Sequence, residues 1–158
     1  MPPISTTLHA ACANLGTILF TITRLDPAAG VVWRDYTSHP VEYPAQGTKP
    51  LDKDDWYDAC IGAQKTFVAN TPEGFSAHFF DHALITAMGL GSVINIPVAD
   101  AAGAVRLTVN LLAGPGHFTA ARVAMYEALV AAARAELIGG LRGRRPAEAG
   151  SPRFGQPG

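Results

Sequence analysis

Apolar and polar residues alternate most cleanly in two stretches of the chain. Over residues 15–25, Ile18, Phe20 and Ile22 fall on one side and Thr17, Leu19, Thr21 and Thr23 on the other. Over residues 105–112, Val105, Leu107, Val109 and Leu111 face one way while Arg106, Thr108 and Asn110 face the other. Period-two alternation predicts strands, and here each strand has one apolar and one polar side. Residues 31–36 and 92–98, rich in β-branched side chains, are the expected hairpin partners. The turns between them are Asp26-Pro27-Ala28-Ala29-Gly30 and Ala99-Asp100-Ala101-Ala102-Gly103, where proline presets φ and glycine accepts a left-handed exit.

Helical spacing replaces alternation elsewhere. Ile4, Leu8, Ala11 and Cys12 predict a short amphipathic helix over residues 4–14. Trp56, Cys60 and Ile61 predict another over 54–65, with Asp52 as its cap, and residues 66–70 read as a short strand. Thr71 and Pro72 open a helix that carries Phe79, His82 and Thr86 on one line and stops near Met88, before the glycines of Gly89-Leu90-Gly91. The longest helix spans 119–138, capped by Thr119, with a stripe of Val123, Tyr126, Leu129 or Val130, Ala133 and Leu137; its alanine-rich remainder suits packing against a second copy of the chain. Residues 37–52 hold three prolines and a glycine and predict a long loop of the lid or binding type. Residues 139–158, dominated by glycine, proline and arginine, predict a flexible tail after a single domain over 1–138.

Composition narrows the function classes. The chain has 158 residues, 48% of them hydrophobic, enough for one core. A net charge of −1 with only 16% charged residues offers no electrostatic footprint for nucleic acid. No apolar run is long enough to span a membrane, and no leader pattern opens the chain, so a cytoplasmic protein is expected. Cys12 and Cys60 belong to no metal or redox spacing and read as buried thiols. His78 and His82 have the four-residue spacing of paired zinc ligands but lack the adjacent glutamate and a third ligand, so no metal and no cofactor is expected. His82, helped by Asp35 or Asp81, is the candidate acid–base residue. No nucleophile elbow, phosphate loop or dinucleotide fingerprint accompanies it, which leaves enzyme activity open.

The element order predicts an α+β fold: a mainly antiparallel sheet, the terminal helices on its apolar face, and the loop and middle helices over its polar face. The string FFDHALITAMGLGSVINIPV, a helix, a glycine turn and a strand ending in proline, is followed by the strand over 105–112, Phe118 and a long helix. Together these resemble the GAF domain family over residues 4–138. RDYTSHPVEYPAQGTKPL is similar, more narrowly, to short stand-alone bacterial GAF proteins. That resemblance implies a GAF-like fold with a ligand held between the polar sheet face and its covering. It would put Thr21, Thr23, Asn95, Thr108 and Asn110 on the floor, and Arg34, Tyr36, Tyr43, Lys49, Trp56, Phe79 and His82 in the walls and lid. Leu107 stands where the family commonly has glycine, and the two cysteines do not match the pattern of GAF domains that reduce methionine sulfoxide, so that activity is not carried over. The expected function is binding of a small polar or anionic metabolite by a homodimer. The alternatives are a cofactor-independent isomerase or hydrolase of a carboxylated metabolite, using His82, and a structural dimerisation module.

Overall fold

In the computed structural model, which describes residues 3–45, 47–71 and 87–140, the two predicted hairpins join edge to edge. The elements in order are α1 (Ile4–Asn14), β1 (Leu19–Asp26), β2 (Val31–Thr37), β3 (Lys49–Pro50), α2 (Asp55–Tyr57), β4 (Phe67–Ala69), β5 (Ser92–Ala99), β6 (Val105–Ala113) and α3 (Ala120–Gly139). They form one six-stranded sheet in the order β3-β2-β1-β6-β5-β4, with every pairing antiparallel. β1 and β6 at the centre are the two strands whose alternation is strongest in sequence.

Local signals set most boundaries. Thr119 caps α3 by accepting from the Arg122 N–H at 3.2 Å, as expected. α2 starts later than predicted: its cap is Asp54, whose carboxylate accepts from the Tyr57 N–H at 3.0 Å, in place of Asp52. The predicted loop over 37–52 ends in β3, which adds two residues to the sheet edge beside β2. Gly89 takes φ +80°, the left-handed turn anticipated after Met88. The helix placed before it, with Phe79 and His82, lies outside the described residues, as does the tail from residue 141.

Two bulges interrupt the alternation. In the β1–β2 pair Ile22 faces Tyr36 and Thr23 faces Arg34, so Asp35 is an extra residue. In the β5–β6 pair Val98 faces Leu107 and Ala99 faces Val105, so Arg106 is extra. A bulge shifts every residue beyond it to the opposite face. Val105, expected beside Leu107, instead packs on the other side with Leu25, Val32, Cys60 and Ile61. Tyr36 is moved the other way.

The helix-backed face is the main core. Phe20, Ile22, Ile94, Ile96, Leu107, Val109 and Leu111 from the sheet meet Leu8 and Cys12 of α1 and Tyr126, Val130, Ala133 and Leu137 of α3. Each such side chain contributes about 2 kcal/mol on burial. Arg24 is the charged exception on this face. Its Nε donates to Asp35 at 2.8 Å and its Nη1 to the Leu137 carbonyl at 3.2 Å, so the first bulge supplies the carboxylate that keeps a buried guanidinium paired. Tyr36 joins this side too: its hydroxyl meets His9 Nδ1 at 2.8 Å and its ring stands edge-on to Phe20.

A second polar chain ties the α1–β1 connection to α3. Thr17 donates to the Tyr126 oxygen at 3.0 Å, and the same phenol shares a hydrogen bond with His117 Nε2 at 2.7 Å. Burial, and then the nearby Arg122 charge, lowers the His117 pKa; burial, and then His39, lowers that of His9. The unfolded chain binds these protons near 6.5, whereas the folded chain resists them. Neither histidine affects stability well above that pH, and each destabilises the fold as pH drops through it. The thermal midpoint should therefore fall between about pH 7.5 and about pH 5, and His117→Gln should flatten part of that fall; a midpoint that rises on acidification would contradict the lowered pKa of the two histidines.

Candidate functional site

The sheet face away from α1 and α3 is divided into three zones. At one end Leu19, Val93 and Leu112 form an apolar patch with Ala69 and Leu90. At the other end Leu25, Val32 and Val105 form a second patch with Cys60 and Ile61. Between them lie Thr21, Thr23, Asn95, Thr108 and Asn110. Thr21 faces Asn110 across one strand pair, and Asn110 faces Asn95 across the next, so register alone aligns them side by side.

This middle band is hydrogen-bonded around one amide. Asn110 Oδ1 accepts from Asn95 Nδ2 at 2.8 Å and from the Thr108 hydroxyl at 3.0 Å. Its Nδ2 donates to the hydroxyl oxygens of Thr21 and Thr23, both at 3.1 Å. All four hydrogen-bonding positions of the Asn110 side chain are thereby used, and the orientation of the amide follows from its neighbours. The band is buried, with Asn95, Asn110, Thr21 and Thr108 each at most 3% exposed. Unsatisfied, these groups would cost about 1–3 kcal/mol apiece.

Two aromatic residues close over the band from opposite ends. Trp56 on α2 donates its indole N–H to Asn95 Oδ1 at 3.0 Å. α2 runs directly into a π-helical turn, Asp58–Gly62, which buries the consecutive residues Cys60 and Ile61 against the sheet. Cys60 donates a long bond to the Asn95 carbonyl at 3.7 Å, and burial pushes its thiol up to about 12. It therefore stays protonated and is not a nucleophile at neutral pH. From the other end Tyr43, on the loop after β2, inserts its ring among Leu19, Leu90, Val93 and Leu112.

Arg34 links band and loop. It pairs with Thr23 in register, before the bulge at Asp35, and is 4% exposed. Its Nη1 donates to the Pro44 carbonyl at 2.9 Å, and its guanidinium lies 5.2 Å from the centre of the Tyr43 ring. A permanently charged fork over an aromatic ring, on a strand in register with a threonine of the band, is suited to hold an anion or a strongly polar group. The amides and hydroxyls of the band do not titrate near neutrality and offer hydrogen bonds of fixed polarity.

Arg34, Tyr43, Trp56, Asn95, Thr108 and Asn110 are thus brought together on one face. Tyr36 is not. The resemblance implied it as a wall residue with Arg34, but residues two apart share a side only on a regular strand, and the bulge between them sends Tyr36 to the helix-backed face. Lys49 enters β3 opposite Val32. Phe79 and His82 lie outside the described residues. The apolar end of the face, Leu19, Leu90, Val93 and Leu112, carried no functional signal in the sequence, because alternating leucine and valine also mark an ordinary core. Among the described residues no His, Cys, Asp and Glu side chains gather as a set that would hold a metal.

No protein-family model and no curated protein matches the chain. Solved structures do. The GAF domain of a two-component sensor histidine kinase from Bacillus halodurans superposes with a TM-score of 0.67 at 11% identity, over 86% of this chain and 92% of that one. A GAF domain/HD domain protein from Geobacter sulfurreducens superposes with a TM-score of 0.64 at 14% identity, over 86% and 88%. The fold is GAF-like, and at such identities the likeness is one of fold.

Because Asn110 bonds to four neighbours at once, Asn110→Ala should cost about 3 kcal/mol in urea denaturation, against about 1 kcal/mol for Thr108→Val, which removes a single donor. Equal, small losses would mean that the band is not the connected unit its geometry describes.

Proposed function

We propose that this GAF-like domain binds a small anionic or polar metabolite on the sheet face formed by the Asn110 band, with Arg34 as the anchor. The observation that carries the reading is the burial of Arg34, which stands in register with Thr23 of the band and holds its guanidinium over the Tyr43 ring. Keeping a charge out of water is costly, and a fold with no use for it would more economically place an aliphatic residue there. Trp56 at one end and Leu19, Val93 and Leu112 at the other supply apolar walls that orient a small molecule, and the threonine hydroxyls of the band lie between them. The ligand belongs to the compounds that carry a carboxylate or phosphate, because these match a forked donor.

A thermal-shift panel of carboxylates, phosphates, amino acids and neutral heterocycles tests this. At least one anion should raise the melting temperature in a concentration-dependent way, and Trp56 emission should respond. Arg34→Met should lose the shift by the anion while leaving the fold intact. If no anion stabilises the wild-type chain, or if Arg34→Met responds as strongly, the reading fails.

The proposal extends to a homodimer through α3. Its exposed side carries Ala121, Ala124, Ala128, Ala131 and Ala135, with Met125 beside them at 48% exposure. Small side chains over four turns permit close approach of a second helix, and two copies would cover Met125. Sedimentation should give a dimer that Ala128→Glu converts to monomer; a monomeric wild-type chain would remove the proposal.

A further inference from the structure

The segment between β2 and β3 is a strap fixed at both ends and held in the middle by the buried Tyr43 ring and by the Arg34 bond to the Pro44 carbonyl. At its start Ser38 pairs with Phe20 in both directions, its N–H donating to the Phe20 carbonyl at 2.8 Å and its hydroxyl oxygen accepting from the Phe20 N–H at 2.9 Å. At its end Lys49 and Pro50 pair with Val32 and Val31. Among the described residues of 39–47, Tyr43 is the buried one, at 4% exposure. Pro40, Val41, Glu42, Pro44 and Ala45 around it are exposed, Val41 to 87%. The Tyr43 N–H donates to the His39 carbonyl at 2.7 Å, a tight turn that presents the ring to the sheet.

The ring occupies the apolar end of the candidate site. Leu19, Leu90, Val93 and Leu112 surround it, the Arg34 guanidinium lies over its face, and the next polar groups along the strands are Thr21 and Asn110. A slot that accepts one flat ring among aliphatic side chains, with a cation above it and amides beside it, is shaped for an aromatic ring bearing an anionic group. We infer that Tyr43 is a tethered occupant of this site, and that an aryl carboxylate or a similar anionic aromatic binds by displacing it from beneath Arg34. The anionic group takes guanidinium donors now turned to the Pro44 carbonyl, and the freed strap swings outward about its anchors at Ser38 and Lys49. This rests on the reading of the face as an anion site and adds to it the class of ligand and a strap that opens.

The experiment titrates wild type and Tyr43→Ala with 4-hydroxybenzoate, benzoate, phenol and acetate, followed by NMR. Displacement lowers the apparent affinity of wild type by the fraction of time the slot is empty, so Tyr43→Ala should bind 4-hydroxybenzoate about tenfold more tightly or better, and benzoate likewise. In the wild-type chain 4-hydroxybenzoate should also speed proteolytic cleavage within residues 40–45, an arm that stands whether or not the variant folds. Equal affinity in a folded variant, or binding that leaves the wild-type strap as resistant as before, overturns displacement. Stabilisation by acetate that needs Arg34, with no advantage for the aromatics, overturns the ligand class and leaves the anion site standing. Failure of every anion to bind either protein overturns both. Phenol binding as well as 4-hydroxybenzoate in Tyr43→Ala overturns the role given to the anionic group.

Discussion

The side-chain amide of Asn110 is the constraint on which the half of this protein opposite the long helices depends. Placed on a central strand and buried, it has to find four partners or destabilise the sheet. It finds them on three strands: Thr21 and Thr23 on β1, Thr108 on its own strand, and Asn95 on β5. That arrangement fixes the register of three neighbouring strands at one height, because a slip of one residue would turn every member to the other face. The band then recruits its cover, since Asn95 still has an oxygen to offer and the Trp56 indole donates to it. A polar stripe on a sheet thus sets where the short helix after β3 comes to rest.

The bulge at Asp35 distributes three consecutive residues among three tasks. Arg34 goes to the side of the Asn110 band, Asp35 pairs with the buried Arg24 and through it reaches the end of α3, and Tyr36 packs on Phe20 and bonds to His9. A regular strand would have sent Arg34 and Tyr36 to the same side. The second bulge, at Arg106, performs a comparable exchange by delivering Val105 to the patch under Cys60 and Ile61. The two irregularities separate a continuous hydrophobic core on one face from a zoned face on the other, apolar at its ends and polar at its centre.

Much of this was legible from residue order. α1 was predicted at its observed limits, and β1, β2, β5 and β6 were found because alternation and turn chemistry are local properties. The polar residues of the sheet were legible for the same reason: threonine and asparagine at every second position of a strand declare a polar side. Tyr36 and Val105 were misassigned because a bulge has no reliable local signature; whether an extra residue is accommodated depends on the partner strand. The cap at Asp54 was missed because aspartates at 52, 54 and 55 are all acceptable locally, and the choice among them is made by where Trp56 must land.

What the sequence determined by itself was the set of strands, the terminal helices, the polar side of the sheet and the presence of a long proline-bearing loop, all of which follow from short-range periodicity and backbone stereochemistry. Only the tertiary structure decided that Tyr43 fills the apolar end of that polar side, that Arg34 lies over it, and that Tyr36 does not belong there. These are pairings between residues far apart along the chain or on opposite sides of a bulge. They are selected by the need to satisfy buried polar groups and fill space in three dimensions, which no window of sequence contains.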